Sequence, residues 1–259
     1  MSFSIEEFSA RRYQLLASMV KGVAIVPTAA EMVRNRDSHF PYRFDSYFYY
    51  LTGFKEPEAV LVLIAGEAPK SILFCREKDM EREIWDGFRY GPDAAKETFG
   101  FDEVYTFSQL GEMMPKLLSN QAQLFYSLGA DAVWDVKVTK WLNQVKDLAR
   151  TGVSAPEAVR DVRQLVDQQR LIKTPFEIDL MRRSADIAAV SHNRAMQITA
   201  PGKMENEIEA EFLHEFYRKG AQAPAYTSIV AGGANACTLH YNANNTKLND
   251  GDLLLIDAG

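Results

Sequence analysis

The chain has 259 residues, 47% of them hydrophobic and 25% charged, with a formal net charge of −6. That length and balance fit a globular protein of one large or two ordinary domains. Acids and bases are interleaved and no basic block is present to neutralise phosphates, which argues against nucleic acid as the main partner. The longest apolar run, Ala59–Gly66, falls far short of the roughly 20 residues that span a bilayer, so no membrane partner is expected. The N-terminal MSFSIEEF lacks the charged and apolar regions of a secretory leader. Cys75 and Cys237 are distant and unpatterned, and a reducing cytoplasm is the expected compartment.

In chain order, Ser4-Ile5-Glu6-Glu7 reads as a capping box, followed by a helical stripe from Ile5 to Met19 that Gly22 closes. Val23–Val26 is a β-branched strand. Aromatic residues then crowd between Phe40 and Phe54; they read either as a core wall with a packed loop or as an interface or substrate wall. Val60–Ala65 and Ser71–Cys75 are two strands joined by the turn Gly66-Glu67-Ala68-Pro69. Arg76–Arg89 is a charged helix or excursion in which Trp85 is either a core plug or an exposed recognition residue. A strand over Phe101–Phe107, a helix over Ser108–Leu118, a strand over Leu124–Tyr126 and an amphipathic helix over Val133–Leu148 follow. This alternation predicts an α/β domain. Residues 151–173 read as a helical connector capped by Ser154, with a domain boundary near Ile172 and no Gly/Ser linker.

Thr174-Pro175-Phe176-Glu177 is a strong helix start, with a capping hydroxyl, proline in the first turn and a returning glutamate. That helix extends to about Ile198, and a second covers Met204–Lys219 before Gly220. Pro224–Val230 reads as a strand, then the pair Gly232-Gly233 and the stretch Ala234–Tyr241. Asn249-Asp250-Gly251 is turn chemistry, and Leu253-Leu254-Leu255-Ile256 reads as a buried strand that ends in Asp257. A carboxylate there requires a cation or several donors, and a metal ion, a helix cap or an arginine would each serve.

Of the four histidines, His192 and His214 fall inside helices and His39 in the aromatic loop, where a surface or satisfied core role is the default. His240 differs: it follows a glycine-rich bend and precedes a polar, Asn-rich loop, where its ring can present a nitrogen to a reacting oxygen. The sequence contains no nucleophile elbow, no phosphate-binding glycine loop and no H-E-x-x-H.

The blocks TSIVAGGANACTLHY and NDGDLLLIDAG, together with YFYYLTGFKEP and REKDMEREIWDGFRYGPDAA, resemble the aminopeptidase P (Xaa-Pro aminopeptidase) family over nearly the whole chain. The resemblance implies a fold of two parts. Residues 1–172 would form an N-terminal α/β domain with a mixed sheet, and residues 173–259 the first part of a truncated pita-bread α+β metallopeptidase domain. It implies release of the residue preceding proline by a hydroxide that bridges two metal ions, usually manganese. Asp257 then matches a metal-ligating carboxylate, His240 a catalytic pocket histidine and Tyr226 a substrate-pocket residue. Trp85 and Arg150 match N-domain positions that reach an active site, in oligomeric members that of a neighbouring subunit. The family's other metal ligands follow the DAG block, so the chain is expected to be a truncated product that retains no Mn²⁺ pair and is inactive alone. The expected partners are a proline-containing peptide and further copies of the chain. The rival readings are a non-catalytic binding or oligomerisation module, and a prolidase-like dipeptidase or creatinase-like hydrolase on the same fold.

Overall fold

The structure, a computed structural model, describes residues 5–259, so the Ser4 capping box lies outside the described residues. Two units result, residues 1–172 and 173–259.

In the first unit α1 (Ile5–Met19) leads into β1 (Gly22–Pro27), then the exposed hairpin of β2 (Val33–Asn35) and β3 (Ser38–His39), and α2 (Ser46–Thr52). The hairpin of β4 (Val60–Ala65) and β5 (Lys70–Cys75) is followed by α3 (Met80–Asp86), α4 (Gly91–Phe99) and β6 (Glu103–Thr106). Next come α5 (Leu110–Leu118), β7 (Gln123–Phe125), α6 (Ala132–Asp147), β8 (Ala158–Arg160) and α7 (Val162–Leu171). Six strands form one mixed sheet in the order β6-β5-β4-β1-β7-β8. β1/β4 and β4/β5 are antiparallel, whereas β5/β6, β1/β7 and β7/β8 are parallel. Helices cover both faces. Leu15, Met19, Phe48 and Phe54 pack against Ala24, Leu61 and Leu63, while Met114, Trp134, Trp141 and Val145 pack against Val23, Ile25 and Val62. Double coverage is why the central strands read as unbroken apolar runs with no in–out alternation.

The aromatic crowd resolves into a core wall. Phe44, Phe48, Tyr50 and Phe54 are buried, and Asp45 caps a short helix, α2, where a loop was expected; only Phe40 stays exposed. Residues 151–173 are not one helix. Ser154 pairs with Asn120, Ala158–Arg160 extends the sheet beside β7, and α7 starts only where the Asp161 carboxylate accepts from Arg163 N–H. The periodicity of 151–173 concealed this short edge strand. Trp85 is no core plug: it is 83% exposed on α3, a helix that buries none of its residues. The excursion is held by polar bonds. Asp79 caps α3, and Glu83 accepts from Lys78 Nζ and Arg89 N–H, while Arg89 donates to Asp86.

Arg12 is the more deeply enclosed of two buried arginines on α1, at 1% exposure against 7% for Arg11. Its guanidinium donates to the carbonyls of Leu51, Phe99 and Gly100 at 3.1, 3.0 and 2.7 Å and lies over the Phe101 ring. These carbonyls belong to the last turns of α2 and α4, whose orphan acceptors and negative dipole ends call for a cation.

In the second unit α8 (Pro175–Ile198) starts as the sequence predicts: Glu177 N–H donates to Thr174 Oγ1 and Thr174 N–H to the Glu177 carboxylate. α9 (Glu205–Arg218) packs beside it, and a two-stranded antiparallel sheet pairs β9 (Ile229–Gly232) with β10 (Leu254–Asp257). Ala195, Ile208, Phe212, Phe216, Val230 and Leu248 form its core. Two expectations are corrected. The strand proposed for Pro224–Val230 begins only at Ile229. The run Leu253–Ile256 is half buried, because the sheet presents one face to the helices: Leu254 and Ile256 meet the core, whereas Leu253 and Leu255 are exposed.

Candidate active site

Pairing of β10 with β9 fixes the register Asp257↔Ile229, and the period of two puts Asp257 on the face opposite Ile256. The chain before β9 runs back beside that point, where Ala225 N–H donates to the Gly259 carbonyl at 2.7 Å. Tyr226 consequently reaches Asp257, its hydroxyl donating to Oδ1 at 2.5 Å. This bond to a carboxylate raises the Tyr226 phenol above its ordinary pKa, with burial adding to the effect. Tyr226, Thr227, Ile229, His240, Asn242 and Asp257 line one open pocket of about 550 Å³. The structure thus brings together three of the sequence-derived candidates, Tyr226, His240 and Asp257. Trp85 and Arg150 lie in the first unit, each exposed, on α3 and on the 3-10 turn Ala149–Thr151.

The glycine pair has two separate causes. A Cβ at Gly232 would stand 2.4 Å from Leu248 Cδ2, so that position needs clearance. Gly233 adopts φ +54°, in the left-handed region. Beyond them the chain makes a 3-10 turn, Gly233–Cys237, and then the turn that carries His240. The Asn-rich loop is held by Asn244, itself at φ 44° and buried. Its Oδ1 accepts from Val230 N–H, and its Nδ2 donates to the Ser228 carbonyl and Glu209.

Sequence reasoning missed the polar frame of this site: Glu205, Asn235, Tyr241 and Asn244. An acid in the first turn of a helix reads as a dipole complement, which hid the role of Glu205. His192 has the satisfied core role expected of it: it packs edge-on against Phe212 with Nε2 3.2 Å from the Ala258 carbonyl. His214 stays at the surface beside Glu215.

Another cavity, of about 470 Å³, lies at the C-terminal ends of β1 and β7 in the first unit and is lined by Thr28, Tyr42, Tyr126, Trp134 and Arg163. Its main charged groups are engaged in structure. Asp45 and Asp131 cap α2 and α6, and Arg163 is paired with Asp161 at 2.7 Å. It therefore has the character of a packing crevice.

A divalent cation takes four or more donors. Among the described residues no group of three or more His, Cys, Asp or Glu side chains is placed to hold a metal ion. Asp257 supplies one carboxylate, with Oδ1 already bonded to Tyr226. These residues alone do not make a metal site.

Comparison with known proteins accounts for both units. Residues 8–126 match the model described as aminopeptidase P, N-terminal domain, and residues 179–259 match that of metallopeptidase family M24. The chain is similar to aminopeptidase P along its whole length. It is 42% identical over 259 residues to the Xaa-Pro aminopeptidase of Escherichia coli K12, covering 99% of this chain and 59% of that protein. It superposes on zinc-substituted E. coli aminopeptidase P in complex with product at a TM-score of 0.97, covering all of this chain and 60% of the other. It superposes on proline aminopeptidase P II from Yersinia pestis at 0.96, covering 99% and 60%. The fold is therefore that of these proteins, an N-terminal α/β domain with a mixed sheet and part of a pita-bread domain. The chain spans about three fifths of the length of these relatives.

Proposed function

We propose that this chain contributes the substrate-facing wall of a metal-dependent aminopeptidase that releases the residue preceding a proline. The observation that carries the proposal is the convergence of Tyr226, His240 and Asp257 on one pocket in a chain with this similarity. The amide before proline is tertiary and its φ is locked, so a general peptidase site fits it poorly and a dedicated pocket is reasonable. In this reading Asp257 is one ligand for a divalent cation, Mn²⁺ being the one proposed. His240 faces the reacting oxygen from the loop, and the Tyr226 hydroxyl holds the Asp257 carboxylate in a fixed rotamer. The remaining donors must come from beyond the described residues, so the 259-residue chain alone is expected to be inactive. Work in the cytoplasm is part of the same proposal; among the described residues no helix is long and apolar enough to cross a membrane.

The test is peptidase activity of the whole chain on an Xaa-Pro-Yaa tripeptide, with and without Mn²⁺, with metal per chain measured on the same sample. Absence of cleavage and of stoichiometric metal is the expected outcome. Mn²⁺-dependent cleavage that disappears in Asp257→Asn would refute the inactivity while keeping the assignment of Asp257. Cleavage indifferent to Asp257→Asn would refute that assignment.

A second reading, association of copies, is favoured by α3. Met80, Ile84, Trp85 and Phe88 are 71, 82, 83 and 63% exposed on one short excursion. Large apolar side chains so exposed mark an interaction surface. Sedimentation of the wild type and of Trp85→Ala tests this: a larger assembly that Trp85→Ala dissociates is the expected result, and a monomer in both cases refutes it.

A further inference from the structure

Glu205, at the first turn of α9, is fully buried, yet its carboxylate meets four donors. Oε1 accepts from Gly232 N–H at 2.7 Å and Asn235 Nδ2 at 3.0 Å; Oε2 accepts from the Tyr241 hydroxyl at 2.7 Å and Thr246 N–H at 2.8 Å. Burial alone pushes its carboxyl pKa up, but the donors outweigh burial and hold it below the ordinary value. The donors come from the end of β9, from the following 3-10 turn and from the loop after His240. Asn235 and Tyr241 also bond each other at 3.1 Å.

The stretch between Asn235 and Tyr241 is therefore pinned at both ends on one side chain. Packing does not hold its tip, since Leu239 is 89% exposed and His240 is exposed as well. We propose that Glu205 is a positioning residue for His240: a buried latch that fixes the backbone on either side of the histidine, and with it the direction in which the ring enters the pocket. The role assigned to the latch rests on the proposed reading of His240 as a substrate-facing group. The latch itself is a statement about geometry and order.

Glu205→Gln keeps the length but offers one acceptor oxygen and an NH2 group to the same four donors. Tyr241→Phe removes the donor next to His240 and leaves no new polar group buried. The whole chain is compared as wild type and both variants, without metal or peptide, by three readouts. These are amide exchange at Gly232 and Thr246, the backbone order parameter of His240, and the pH titration of the His240 ring by NMR, assigned with His240→Gln. In Glu205→Gln the one remaining acceptor oxygen can serve only one side of the latch, so at least one of the two amides is expected to exchange at least about tenfold faster, the loss of roughly one charge-assisted hydrogen bond. The His240 order parameter is expected to fall below about 0.6, and its ring titration to move from the wild-type midpoint. In Tyr241→Phe the order parameter and titration of His240 change, while Gly232 exchange stays within about threefold of wild type, as its own bond persists. A merely structural role for Glu205 would lower stability and leave His240 of the folded state as it was. Wild-type order and titration of His240 in both folded variants overturn the proposal. If Glu205→Gln does not fold, Tyr241→Phe decides alone by the same criterion. None of these readouts depends on peptidase activity, so the latch and the peptidase reading fail separately.

Discussion

Substituting alanine for Gly232 tests how closely the second unit is built. The backbone at Gly232 is not in the left-handed region, so an alanine there is strained only by its surroundings. The new Cβ would stand 2.4 Å from Leu248 Cδ2 and 3.5 Å from Glu205 Oε1. The first contact is impossible as it stands, and the second is ordinary. Leu248 is 4% exposed in the core with Phe212 and Val230, so its methyl must turn into occupied space. Overpacking of this kind costs about 1–3 kcal/mol. Loss of glycine's freedom in the unfolded chain offsets about 0.4–1 kcal/mol. A net destabilisation of about 1–2 kcal/mol is expected, or roughly 4–8 °C per kcal/mol for a unit of this size. The probe matters, because Trp85, Trp134 and Trp141 all lie in the first unit and their emission does not follow the second. Amide exchange over β9, β10 and the loop between them is the suitable assay. Leu248→Ala in the Gly232→Ala background should recover part of the loss, with a coupling of at least about 0.5 kcal/mol. If Gly232→Ala exchanges as slowly as wild type, the clearance argument is wrong.

Cys75 is buried, and burial pushes its thiol pKa up to about 12, whereas Cys237 is exposed. One thiol should therefore react rapidly with a disulfide reagent in the native protein and the second only as the first unit opens; two fast thiols would contradict the packing of β5. Arg12→Met removes the donor shared by three helix-end carbonyls and should cost on the order of 3 kcal/mol of first-unit stability, read from tryptophan emission in urea. A loss below about 1 kcal/mol would show that water replaces the guanidinium there. Hydrogen bonding to Arg163 holds the Asp161 carboxyl pKa down to about 2. A lowered folded-state pKa stabilises above the ordinary carboxyl value, and the contribution disappears as pH falls from about 4 through about 2. Both side chains are partly exposed, so it should not exceed about 1 kcal/mol. Asp161→Asn should flatten that acid limb of the urea midpoint, and an unchanged slope would refute the pairing.

Much of the fold was legible because the signals were local. The Thr174 capping box, the strand run at Val60–Ala65 and the helical stripe of α6 each depend on residues a few positions apart. Failures came where partners are distant in sequence. Ala158–Arg160 looks like helix until β7 supplies its ladder, and the Leu253–Ile256 run looks fully buried until only one face finds helices. In the site, the pocket candidates were visible as a family pattern, and Tyr226, His240 and Asp257 line one pocket. Their frame was not visible, since nothing local to Glu205 shows that its four donors lie 27 to 41 positions away.

The double anchoring of the turn after β9 also bears on how such a surface diversifies. Asn235 and Tyr241 meet the interior through polar atoms, and the residues between them, Ala236 to His240, contribute nothing to the apolar core. That segment behaves as a cassette. Apart from His240, its side chains can be exchanged, and the pocket lip reshaped, while the anchors keep its ends in register and the helices beneath are undisturbed.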